Sequence, residues 1–121
     1  MMIVRNNQLK QDILTALADQ EMLKILNLSM YYSRSVNDII RQSDISYTTA
    51  YRKIKWLLDK ELLVVDKINL SPEGKKYTTF RSVLKSIIIR YQQDEIIVEA
   101  EENVDLIGKI GGHFFSISSP I

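Results

Sequence analysis

The sequence predicts an α+β domain in which a helix-turn-helix runs directly into a β-hairpin. Three observations predict it. Ser35 and Asp38 have the S-x-x-D spacing that opens a capped helix. A second helical pattern starts at Tyr47, about three residues after the first one ends near Ser43, which is helix-turn-helix spacing. Beyond Lys60 the helical period gives way to the β-branched, aliphatic run Leu62 to Leu70, then to turn chemistry and a second run of strand formers.

The bulk numbers fit one domain. A chain of 121 residues holds one hydrophobic core but not two. Hydrophobic content of 45% with 26% charge is ordinary globular composition, which argues against wholesale disorder. No apolar run approaches the roughly 18 residues of a membrane span. The stretch MMIVRNNQLKQD lacks the apolar core and cleavage site of a signal peptide. No cysteine is present, so disulfides and thiolate metal sites are excluded. Together these features give the expectation of a cytoplasmic protein with no membrane partner.

Net charge is only +1, but the charges are sorted. Lys75, Lys76, Arg81, Lys85 and Arg90 follow one another with no intervening acid. Asp94, Glu95, Glu99, Glu101, Glu102 and Asp105 then follow with no base. The pattern fits a basic face and an acidic face, or simply two solvated strands that pair with each other.

Taken in order, Leu9, Ile13, Leu14 and Leu17 recur at helical spacing and predict a helix from Leu9 to Ala18. Asp19 is a candidate cap for a second helix, Gln20 to Tyr31, rich in large aliphatics and therefore central to the core. The third helix runs from Ser35 to Ser43, and the turn Asp44-Ile45-Ser46 is anchored by Ile45, its only apolar residue. Ser46 caps the fourth helix, Tyr47 to Lys60. Ser71-Pro72-Glu73-Gly74 is a turn between strands 62–70 and 75–82, because Pro presets φ and Gly supplies a positive φ. Pro72 also suits the first turn of a helix; Tyr77, Thr78, Thr79 and Phe80 favour the hairpin. Residues 85–101 read as a further hairpin turning at Gln92 to Glu95. The tail, 103–121, contains Gly108, Gly111, Gly112 and His113-Phe114-Phe115, and reads as an arm or a frayed end.

On a helical wheel of the fourth helix, Ala50, Ile54 and Leu57 form a core-facing stripe with Leu58 at its edge. Thr48, Arg52, Lys55 and Asp59 occupy the opposite arc, flanked by Thr49, Tyr51 and Trp56. That arc suits DNA. Arg52 can bond a guanine bidentately in the major groove. Thr48 and Tyr51 can donate to base edges or phosphates. Thr49, beside Ser46 and Tyr47 at the helix N-terminus, sits where backbone N–H groups favour a phosphate. Lys53 and Lys55 are expected on phosphates, which position without specifying. Lys75 and Lys76 at the hairpin turn can reach the backbone or the adjacent minor groove. The bland reading is a solvated helix face and a solvated loop. Trp56 is expected to cover the core or a subunit contact.

From about Glu21 to Ser82, roughly half the chain, the sequence resembles a winged helix-turn-helix domain of the ArsR-like kind. The residues that carry the resemblance are Lys24-Ile25-Leu26, Ser35 to Ile40, Ile45 to Leu57, Asp59 to Leu63 and Gly74 to Tyr77. The resemblance implies a transcription regulator, usually a homodimer, with the helix from Tyr47 in the major groove and the hairpin as the wing. Ile40 stands where such domains usually have Ala, Asp44 where Gly is common, and Glu61 where Gly usually precedes the wing strand. The family's metal sensors use Cys and His ligands, which are not carried over to this chain.

An enzyme reading finds neither a phosphate-binding glycine loop nor metal-ligand spacing, and His113 lies near no candidate nucleophile. No catalytic residue, cofactor or metal is expected. The expected fold is thus a three-helix core plus a β-hairpin wing, with an extra N-terminal helix and a second C-terminal hairpin, over residues 1–102. The expected partners are double-stranded DNA and a second copy, joined through Leu9 to Leu17 and the C-terminal segment. The rival is a winged helix used for protein–protein contact in a transcription or chromatin assembly, since one fold serves both roles.

Overall fold

Helix formation begins where Asn6 caps the first turn, its side-chain oxygen accepting the Leu9 N–H at 2.8 Å. Helix α1 therefore spans Asn7–Ala18, two residues longer than the apolar pattern indicates. The computed structural model describes residues 1–103. Asp19 ends α1 and caps α2, Gln20–Leu28, by accepting the Met22 N–H at 2.9 Å. Helix α2 stops three residues short of the expected Tyr31. The Ser29 carbonyl receives the Ser82 N–H at 2.9 Å. The Met30 carbonyl receives the Asn103 side-chain N–H at 2.7 Å and an Arg81 N–H at 3.1 Å. These tertiary donors hold the carbonyls outside a helical path.

Helix α3, Val36–Ser43, opens with the expected capping box. The Asp38 N–H donates to Ser35 Oγ at 3.1 Å, and the Ser35 N–H donates to Asp38 Oδ2 at 2.9 Å. Asp44 follows in the left-handed region at φ 59°, where Asp is better tolerated than most residues. Ile45 is buried, and Ser46 caps α4, Tyr47–Asp59, by accepting the Thr49 N–H.

The end of α4 sets the direction of everything after it. The Leu62 N–H donates to the Leu57 carbonyl at 2.9 Å, and the Glu61 N–H donates to the Leu58 carbonyl at 3.0 Å. Glu61 lies at φ 61°. This is a Schellman motif with Glu where Gly is usual, completed by the burial of both Leu57 and Leu62. The chain leaves it as strand β2, Leu63–Leu70, which pairs antiparallel with β3, Lys76–Ser82. Gly74, at φ 80°, supplies the positive φ of the connection, so Pro72 starts no helix. Arg34 adds a short third rung: it exchanges backbone hydrogen bonds with Phe80, tying the α2–α3 linker to β3.

Strands β4, Leu84–Gln92, and β5, Glu95–Glu102, form the second hairpin. Its two-residue turn, Gln93-Asp94, has both φ angles positive, as a type I′ connection requires. Strand β1, Met2–Ile3, pairs with β5 and gives the order β1-β5-β4. The helical pattern gave no hint of β1. One buried cluster joins Ile13 and Ala16 of α1, Ile25 of α2, Ile39 of α3, Leu57 of α4, Phe80 of β3 and Val98 of β5. The protein is thus a mixed α+β structure of four helices and antiparallel sheets among the described residues. Asn103, assigned to the tail by sequence, belongs to this body: its N–H donates to the Val83 carbonyl at 2.7 Å, and its side chain is buried. The rest of the expected arm, His113 included, lies outside the described residues.

Candidate nucleic-acid interface

Helix α4 is seated by its stripe. Ala50, Ile54 and Leu57 are buried, as the wheel predicts, and Leu58 and Trp56 pack at the margin. The opposite side is open. Ser46, Tyr47, Thr48, Tyr51, Arg52, Lys55 and Asp59 are all exposed, and Thr49 is half-buried. Tyr47 and Tyr51, one turn apart, stack with ring centroids 6.3 Å apart and planes 16° from parallel. Ser46 Oγ lies 3.0 Å from Thr49 Oγ1, so both hydroxyls sit at the start of the helix. Trp56 is half-buried, with the Lys60 ammonium 5.7 Å from its ring centre.

Lys53 does not join the open face. Its ammonium bonds the Asp19 carboxylate and lies 3.5 Å from Glu21, and its side chain is only 14% exposed. Lys53 therefore bridges α4 to the start of α2. Burial raises the Asp19 pKa, but hydrogen bonds from Lys53 and the Met22 N–H outweigh it and hold the carboxyl below its usual value. The hydrogen bond to Asp19 raises the Lys53 pKa above its usual value. The wheel itself contains the warning: Lys53 lies only about 65° from the centre of the buried stripe at 100° per residue.

Lys75 and Lys76 are exposed at the β2–β3 turn. Across from them stands α3, and the two border an open cleft of about 730 Å³. Asn37, Arg41 and Tyr77 also line it and are not among the DNA contacts expected from the sequence. Arg41 pairs with Asp38, whose carboxyl burial pushes up but which the Ser35 and Arg41 hydrogen bonds bring below its usual value. Arg41 could be found only once the hairpin was known to fold back towards α3. The arrangement offers hydroxyls, a guanidinium and an ammonium on one helix face, and further cations beside a cleft. Such groups bind anions and base edges.

Among the described residues, no group of three or more His, Cys, Asp or Glu is placed to hold a metal ion. No helix among them is long and apolar enough to cross a membrane. No family model, no curated protein and no solved structure matches the chain.

Proposed function

We propose that residues 20–82 form a winged helix-turn-helix that binds double-stranded DNA sequence-specifically and regulates transcription. Helix α4 enters the major groove and the β2–β3 hairpin serves as the wing. The observation that carries the reading is the division of α4: its inner stripe is locked in the core while Thr48, Tyr51, Arg52 and Lys55 face outward uncovered. Arg52 reads a base, Lys55 contacts a phosphate, and Lys75 and Lys76 hold the backbone at the wing. Lys53 has no such role in the reading, because Asp19 and Glu21 hold it. A homodimer would set two copies of α4 about one DNA turn apart on a palindromic site. The reading carries with it a cytoplasmic location.

Selection of bound sites from random duplexes tests it. A defined half-site should emerge, and Arg52→Ala should relax one position of it at a cost of roughly 1–3 kcal/mol. An equal loss on every sequence makes Arg52 a phosphate contact, and recovery of no preferred site removes the specificity claim.

One observation favours a second reading, a winged helix used for protein contact. Ile68 and Leu70, alternate residues of β2, are both exposed beside Lys76. If that surface is the site, partner binding will resist salt, unlike phosphate binding.

A further inference from the structure

The β4–β5 hairpin is longer than the core it covers. The register sets Ile87 opposite Ala100, Ile89 opposite Val98 and Tyr91 opposite Ile96. Opposed residues share a face of an antiparallel pair, as do alternate residues along each strand. One face of the hairpin is therefore apolar from base to tip. The half nearest the base is used: Val98 and Ala100 are buried, and Ile87 packs against them. The half nearest the tip is uncovered, with Ile89 45%, Ile96 39% and Tyr91 71% exposed.

Charges of both signs border this patch. Arg5 and Lys10 line the same groove as Glu95 and Ile96. Asp94 sits at the turn, within 3.3 Å of the Tyr91 hydroxyl. An apolar centre flanked by both signs is complementary to itself. A two-fold contact between identical chains requires that property. A uniformly acidic or uniformly basic partner would meet like charge along one border.

We infer that the outer half of the β4–β5 hairpin is the homodimer contact. Ile89, Tyr91 and Ile96 of one copy pack on the same residues of the other, and the basic border of each meets the acidic tip of its partner. This rests on the homodimer part of the proposed function and is independent of its DNA part. Of the two regions expected to join the copies, Leu9 to Leu17 and the C-terminal segment, it assigns the contact to the second and narrows it to the outer half of this hairpin.

The test is sedimentation velocity of the full chain across a concentration series, with circular dichroism to confirm folding. The wild type should reach twice its 14.0 kDa chain mass. Ile89→Lys should weaken association at least about tenfold. Tyr91→Ser should weaken it too, and its highly exposed site protects the fold if Ile89→Lys misfolds. Ile68→Lys, on the other hairpin, should associate like wild type. A wild-type monomer overturns the inference together with the dimer reading. A wild-type dimer that both hairpin variants leave intact overturns the inference alone. Binding of a half-site duplex reports separately on the DNA reading: a folded Ile89→Lys monomer should bind it as the wild-type protomer does.

Discussion

Replacing Lys53 with methionine separates a cation that holds the fold from one that touches DNA. The substitution keeps the aliphatic stem against α2 and removes only the ammonium. The pair it breaks is neither exposed nor fully buried, with side chains 14% exposed at Lys53 and 26% at Asp19. Exposed ion pairs contribute about 0–1 kcal/mol, and breaking a buried one costs about 3–5 kcal/mol. Asp19 keeps the Met22 N–H and some contact with water. The expected loss is therefore about 1–2 kcal/mol, or roughly 4–8 °C in Tm for a domain of this size. Urea unfolding followed by Trp56 fluorescence measures it. The pH dependence has a definite sign. The Asp19 pKa is lowered in the folded state, so its share of the stability is present above the usual carboxylate range and disappears as pH falls through the folded value. The Lys53 pKa is raised, so its share is present below the usual lysine value and disappears as pH rises through the folded one. The gap between wild type and Lys53→Met should hold near neutrality and close below about pH 4. The salt dependence of DNA binding should be unchanged. Unaltered stability, with a salt slope shallower by about 0.9, would mean that Lys53 contacts a phosphate and that the bridge to Asp19 is wrong.

Two further outcomes follow from packing and backbone geometry. Leu57→Ala empties a fully buried site shared by the α4 stripe and the Schellman motif, and should cost about 2–5 kcal/mol in urea unfolding; a loss under about 1 kcal/mol would mean that the stripe is not core. At Glu61, φ 61° favours glycine, so Glu61→Gly should be neutral or stabilise by up to about 1 kcal/mol, and Glu61→Ile should destabilise by about 1–2 kcal/mol. Equal melting temperatures for the two variants would contradict a left-handed residue at this position.

The helices were legible because their ends are written in single residues. Asp19, Ser35 and Ser46 each accept an N–H from the third residue on, and each was readable as a cap. The core stripe of α4 was legible from spacing alone. What escaped was tertiary. The pairing of Arg34 with Phe80, the bridge from Lys53 to Asp19 and the burial of Asn103 join residues far apart in the chain, and no local pattern encodes them. Strand β1 is two residues long, too short to show alternation. Glu61 pointed away from a tight helix end. Two long-range constraints, burial of Leu57 and Leu62 and pairing of β2 with β3, hold it there at the cost of a left-handed φ. The outer arc of α4, Thr48, Arg52, Lys55 and Asp59, was read correctly as exposed; Lys53, expected on a phosphate beside it, lies at an angle from the stripe small enough to bring it inward.

Fluorescence anisotropy of a labelled duplex, titrated with the protein across a salt series, tests the central claim most directly. The account predicts binding at low salt that weakens steeply, with a slope of about −3 per protomer if Lys55, Lys75 and Lys76 engage phosphates while Arg52 reads a base. Lys55→Ala should make that slope shallower by about 0.9. Absence of binding to any duplex at low salt, by protein shown to be folded, would contradict the account.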